Sequence, residues 1–200
     1  NFSKYGNNAF SGVINIVTKR YGKNSMGLGY GSFNTFLLSG SSYGNGRNLS
    51  FELGSSDGYR KNTDYTYYNL YASLGYNNWN FLLGFLNKDF GAQDFYAINR
   101  TEYEQTQTLF TNINYLSNID RNFKLDFNIF LRSGYDYYTT QRHYPEAYRN
   151  RHNSYVYGTT AKIDFKYSRN LNIQPGIEVI YKNLDSKGES ELYPSWRGMG

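Results

Sequence analysis

From Asn122 to Ser133 the odd positions are apolar (Phe123, Leu125, Phe127, Ile129, Leu131), while the even ones read Asn122, Lys124, Asp126, Asn128, Phe130 and Arg132. Successive side chains of a strand point to opposite faces, so this period of two predicts a strand with one apolar and one mostly polar side. The pattern returns from Tyr155 to Tyr167, where Tyr157, Ala161, Ile163, Phe165 and Tyr167 oppose Gly158, Thr160, Lys162, Asp164 and Lys166. A third copy runs from Leu171 to Tyr181, with Ile173, Pro175, Ile177 and Val179 against Asn172, Gln174, Gly176 and Glu178. Weaker copies lie upstream at Leu49–Leu53, Tyr68–Tyr76, Trp79–Phe85 and Leu109–Tyr115, with less regular pieces near Met26–Tyr30 and Thr35–Ser42. Helical periodicity fits none of them well, and the pattern predicts about nine strands.

The connections form a second pattern. Short polar turns are expected at Tyr43-Gly44-Asn45-Gly46, Asn77-Asn78, Asn118 to Asn122 and Ser168-Arg169-Asn170, where Asn and Gly tolerate the positive φ that hairpins need. Between them lie long polar connections: Asp57 to Asp64, Lys88 to Glu104, Asp136 to Asn153, and Asn183 onward. Short alternating with long puts the tight turns at one end of the sheet and the long loops at the other.

Composition sharpens this picture. Aromatics make up 20% of the 200 residues, with 23 Tyr and 14 Phe beside 20 Gly and 3 Pro, which suits strands and turns. The longest apolar run, Phe81 to Leu86, falls far short of the roughly 18 residues of a spanning helix, so a helical membrane bundle is excluded. With 0 Cys there are no disulfides, thiolate metal sites or Cys nucleophiles. The net charge of +5 is scattered without a basic run, which argues against a nucleic-acid partner. A soluble β-sandwich also alternates apolar and polar positions, but it gives no reason for long loops to gather at one end. Nor does it explain why Tyr and Trp concentrate at strand ends, at Tyr65, Tyr67, Tyr68, Tyr76, Trp79, Tyr115, Tyr155, Tyr157, Tyr167 and Tyr181. A transmembrane β-barrel explains both, because amphipathic rings settle at the two lipid–water interfaces. On that reading the charged positions Lys124, Asp126, Arg132, Lys162, Asp164, Lys166 and Glu178 line a wet interior, and Lys124 and Asp126 neutralise each other locally.

Residues 5–19 read Tyr-Gly-Asn-Asn-Ala-Phe-Ser-Gly-Val-Ile-Asn-Ile-Val-Thr-Lys. This string resembles the end of the plug domain of TonB-dependent outer-membrane receptors, just before the first barrel strand, at Tyr5, Gly6, Ala9, Gly12, Val13, Ile14, Asn15, Ile16, Val17, Thr18 and Lys19. Phe10-Ser11 departs from the smaller aliphatic and Gly usual there. The resemblance implies an all-β fold in which residues 1–22 end a plug and residues 23–200 begin an antiparallel barrel of about 22 strands. The chain then reads as a piece of a bacterial outer-membrane importer of a scarce nutrient such as cobalamin or an iron-siderophore. It would be driven by TonB through a segment outside this chain and surrounded by outer-membrane lipid and lipopolysaccharide. A passive porin shares the strands but needs no plug, so residues 1–20 discriminate the two. A soluble adhesin or carbohydrate-binding module is a third class, separable by whether extraction requires detergent.

Catalytic chemistry finds little support. His143 and Glu146 have a helical metal-pair spacing, but Pro145 makes a regular helix there unfavourable, and no phosphate loop or nucleophile elbow is present. Ligand recognition suits the long loops better. Tyr59, Tyr96, Tyr138 and Tyr148 supply flat rings, and Arg60, Arg100, Arg142 and His143 lie beside them, a set fit for a large organic ligand or an anionic chelate. Phe95, Tyr137, Tyr144 and Tyr193 add to the aromatic surface. Asp57 and Asp64 in one loop and Asp89 and Asp94 in the next are candidate calcium ligands, without a tight Asp-x-Asp motif.

Overall fold

The structure is a computed structural model that describes residues 22–168 and 171–190. Strands β1 (Ser25–Gly31), β2 (Thr35–Gly44), β3 (Arg47–Ser56), β4 (Tyr65–Tyr76) and β5 (Trp79–Gly91) are followed by β6 (Tyr103–Asn118), β7 (Phe123–Thr139) and β8 (Arg149–Lys166). The two-residue β9 (Asn172–Ile173) and β10 (Gly176–Glu189) complete the described chain. Each of β1 to β8 pairs antiparallel with the next in sequence, and β8 receives both β9 and β10 on its far side. The result is an all-β antiparallel sheet of ten strands, open at β1 and β10. The string at residues 5–19 lies outside the described residues, as do Arg169, Asn170 and Tyr193.

The register carries the alternation intact from strand to strand. Leu49, Ala72, Leu83, Thr111, Leu131, Tyr157 and Tyr181 stand in one cross-strand row, and Leu74, Phe81, Ile113, Ile129, Thr159 and Val179 in the next. All the apolar faces therefore fall on one side of the sheet, where a slip of one residue in any pair would turn a strand inside out. Nothing among the described residues covers that side: Leu70 is 42% exposed, Ile129 45% and Val179 59%. The largest fully buried side chains described are instead Glu102, Asn87 and Thr139, all polar.

The opposite side carries most of the polar side chains, some of them hydrogen-bonded across the ladder. Asn112 donates to Asn128 Oδ1 at 2.7 Å, and Asn114 to Asp126 Oδ1 at 2.6 Å. Neutralisation of charge runs across strands as well as along them, since Lys124 stands opposite Asp164, and Asp126 opposite Lys162. Phe130, the one ring on the polar side of the β7 pattern, stands opposite Gly158 of β8 and lies over it, with its Cε1 2.5 Å from where a Cβ would be. Phe110 covers Gly84 in the same way two strand pairs earlier, between β5 and β6. Each ring fills the gap that a strand glycine leaves, which pins register as well as area.

The tight turns form as their residues dictate. Asn45 and Gly46 both have positive φ (48° and 72°) and join β2 to β3, Asn77 (φ 50°) joins β4 to β5, and Asp120 Oδ1 accepts from the amides of Asn122 and Phe123 before β7. Three expectations need correction. The third repeat is not one strand: Pro175 has no N–H to donate, so the chain breaks between β9 and β10, and the Pro175 carbonyl accepts from Ile163 N at 3.0 Å. The long connections are shorter than expected. Lys88–Gly91, Tyr103–Glu104, Asp136–Thr139, Arg149–Asn153 and Asn183–Glu189 are paired strand, joined by polar partners such as Tyr135 with Asn153 and Tyr137 with Arg151. Tyr65 and Tyr67 lie at a strand end but on the polar side, opposite Phe90 and Lys88.

The glycine beneath Phe130 yields a direct test. Gly158→Val drives a branched side chain into the ring and lowers unfolding stability by about 1–3 kcal/mol in urea titrations. Gly44→Val, where an added Cβ meets nothing within 4 Å, shifts the same midpoint by no more than about 0.5 kcal/mol.

Candidate functional site: the interlocked loop cap

The three longer connections, residues 57–64, 92–102 and 140–148, meet at the end of the sheet opposite the tight turns. The β1–β2 turn joins them, because Asp57 N donates to Phe33 O at 2.9 Å. Left-handed backbone at Asn62 (φ 56°), Asp94 (φ 60°) and Asn99 (φ 63°) allows the chain to fold back on itself within these short segments. Gly91, where the chain leaves β5, is required by close approach: its amide donates to Asp64 O at 2.9 Å, and a Cβ there would come 2.5 Å from Asn62 O.

Glu102 is the centre of this cap. It is fully buried, and its Oε2 accepts from the amides of Phe95 and Tyr96, each at 2.9 Å, while its Oε1 accepts from the Tyr138 hydroxyl at 2.9 Å. Its carbonyl accepts from Ala92 N at 2.9 Å and from Asn62 Nδ2 at 2.7 Å. A buried carboxylate without partners is costly, but here three donors face its two oxygens. The bonds fix the 92–102 turn so that Phe95, Tyr96 and Ile98 stand outward, 73%, 66% and 83% exposed. The Tyr96 ring meets Phe95 and Tyr138 edge-on, at 4.7 and 5.1 Å between centroids.

Arg142 closes the third connection onto the other two. Its amide donates to Thr101 O at 2.8 Å, its guanidinium donates to Asp64 Oδ1 at 2.6 Å, and the same group lies 4.4 Å over the Tyr103 ring. The hydrogen bond from Arg142, with its charge, holds the Asp64 carboxyl below the ordinary carboxylate range. Arg60 performs a similar task between the first two loops, donating to Gln93 O at 2.8 Å and lying 3.7 Å from Asp94.

The structure thus brings together Arg60, Tyr96, Tyr138, Arg142, Asp64 and Asp94 among the residues expected from sequence. Tyr59 is exposed with Arg60 5.5 Å over its ring. Arg100 and His143 are exposed, and Arg100 enters the cap through its carbonyl, which accepts from Asp94 N at 3.3 Å. Tyr148 is exposed, and its carbonyl accepts from Thr139 Oγ1 at 2.9 Å. The four aspartates have separate partners: Asp57 takes Asn34, Asp64 takes Arg142, Asp89 takes Asn87, and Asp94 takes Asn99 and Gln93. Among the described residues no group of three or more His, Asp or Glu is placed to hold a metal ion. Sequence reasoning missed Glu102 and Asn62. Neither lies in a motif, and the available signal was the set of Asn and Asp residues suited to left-handed turns within the loops.

The arrangement is a rigid aromatic surface whose arginines are largely committed to the loops beneath it. Asp64, with its depressed folded-state pKa, contributes stability that is present above its ordinary value of 3.8 and lost as pH falls through the folded value. Protection of the Gly91 and Arg142 amides from hydrogen exchange, taken against the intrinsic rate at each pH, should therefore be high at neutral pH and fall as the pH drops below the carboxylate range, and Arg142→Met should lower it throughout. Glu102→Ala, which strands two loop amides and a hydroxyl, should cost about 1–3 kcal/mol and open residues 92–102 to protease. The chain matches no protein-family model, no curated protein and no solved structure.

Proposed function

We propose that this chain is part of a TonB-dependent outer-membrane receptor that binds a scarce nutrient at its loop end and imports it with energy from the inner membrane. The observation that carries the reading is the uncovered apolar side of the sheet, continuous over nine strands while the buried side chains are polar. In water such a surface invites aggregation, whereas in hydrocarbon it is the favoured one, because the backbone groups of the strands between the two edges are already paired. Aromatic rows support the same placement. Tyr76, Trp79, Tyr115 and Phe127 form one row at the tight-turn end, with Trp79 and Tyr115 rings 4.7 Å apart. In mid-sheet, Tyr157 lies 6.4 Å from Tyr155 and 6.1 Å from Tyr181. The open edges at β1 and β10 are where further strands of a closed barrel would pair.

Active import, rather than passive passage, rests on the resemblance of residues 5–19 to the end of a plug domain. TonB contact would come from a segment outside this chain. The loop cap supplies the outward surface for the nutrient, with Tyr59, Phe95 and Tyr96 as its flat contacts and lipopolysaccharide beside it.

Membrane insertion is tested by extraction and by substitution. The intact protein should stay in the outer-membrane fraction through carbonate and urea washes and leave it only with detergent. Leu70→Arg, in the middle of the apolar band, should destabilise the inserted form by about 2–4 kcal/mol, while the polar-side Asn69→Arg should be tolerated. Release by carbonate alone would sink the membrane reading.

A further inference from the structure

We propose that the polar side of β4 and β5, just beneath the loop cap, binds a planar aromatic group that carries a negative charge. Tyr65 and Tyr67 are alternate residues of β4 and stack with centroids 6.1 Å apart and planes at 23°. Across the ladder Tyr65 faces Phe90 and Tyr67 faces Lys88, so three rings and one ammonium share a patch of the same side. The Tyr67 ring does not lean toward Lys88. It lies over Gly54 of β3, where a Cβ would come 2.6 Å from its Cζ, and its hydroxyl donates to Glu52 Oε1 at 2.7 Å.

That glycine has a consequence for β5. With the Tyr67 ring drawn onto β3, the space between Tyr67 and its own partner stays open as a cavity of about 380 Å³, lined by Tyr65, Thr66, Tyr67, Lys88, Asp89 and Phe90, with Thr63 and Gly91 at its margin. The size suits a ligand of one or two rings. The Lys88 ammonium is exposed and makes no ion pair among the described residues. Of the acids around it, Glu52 accepts from Tyr67, Asp89 accepts from Asn87 at 3.2 Å, and Glu104 stands opposite Phe90 on the same side of the sheet. A flat ring set against Tyr65 and Phe90 buries its faces on aromatic carbon, and a carboxylate or phosphate on its rim meets Lys88. The site stands on strand pairing and holds whether or not the sheet lies in a membrane.

Benzoate, benzamide and cyclohexanecarboxylate separate the two contributions when titrated into the intact protein and followed by NMR shifts of the Tyr and Lys side chains. Benzoate should saturate and bind about fivefold to tenfold more tightly than either analogue. Lys88→Met, which keeps the stem and folds normally at an exposed position, should bring benzoate down to the benzamide value and leave benzamide unchanged. Tyr65→Leu should weaken both aromatic probes. Equal binding of benzoate and benzamide, or a Lys88→Met protein that keeps the preference for benzoate, would overturn the proposal.

Discussion

Backbone pairing in strict register is the interaction on which everything else in this molecule depends. Among the described residues there is no second layer of structure to bury a core, so the sheet holds together through its ladders and through side chains that meet across them. Because the side-chain period is two, each of the eight consecutive pairings has to be correct to the residue for one side to be uniformly apolar. The turn chemistry helps to set that correctness. Asn45-Gly46 admits the hairpin twist that fixes β2 on β3, and Asp120 caps the turn that fixes β6 on β7. The rings of Phe110 and Phe130 over Gly84 and Gly158 act at mid-strand, where turns no longer constrain the chain.

The sheet and its cap are stabilised by different physics. Within the sheet, the polar side chains that pair do so with one or two neighbours across the ladder, and no one of them organises many others. In the cap, one buried carboxylate gathers donors from two segments, and one arginine, through its amide and its guanidinium, ties together three. Low dielectric surroundings strengthen such bonds and penalise the loss of any single partner. The sheet consequently tolerates change at most polar positions, while the cap concentrates its vulnerability in Glu102 and Arg142.

Much of the sheet was legible in the sequence because period-two patterning is a local property. The alternation at Phe123 to Leu131 could be read without knowing what β7 pairs with. It failed where the strands leave the apolar band: Tyr135 and Tyr137 no longer alternate with charge in a recognisable way, yet their partners Asn153 and Arg151 keep the ladder going for several more residues. Pro175 was hidden by its apolar neighbours, although its missing N–H decides the break. In the cap, the aromatic and cationic residues were visible as types, but their roles were not. Arg142 reads as a free surface cation until Asp64 is brought to it, and Glu102 has no sequence feature that sets it apart from any other loop acid. The partners of both are fixed only by tertiary placement.

The reach of Arg142 also imposes an order of assembly. It bonds a carboxylate 78 residues earlier in the chain, whereas each strand of the sheet can dock on the one made just before it. Ladder growth from β3 to β7 needs only short-range closure, so the lock between the first and third loops is necessarily among the last contacts to form. A contact made that late has little influence on how fast the chain folds and a large one on how slowly it comes apart. Arg142 is in that sense a latch, engaged after the sheet is complete and setting the lifetime of the folded loops.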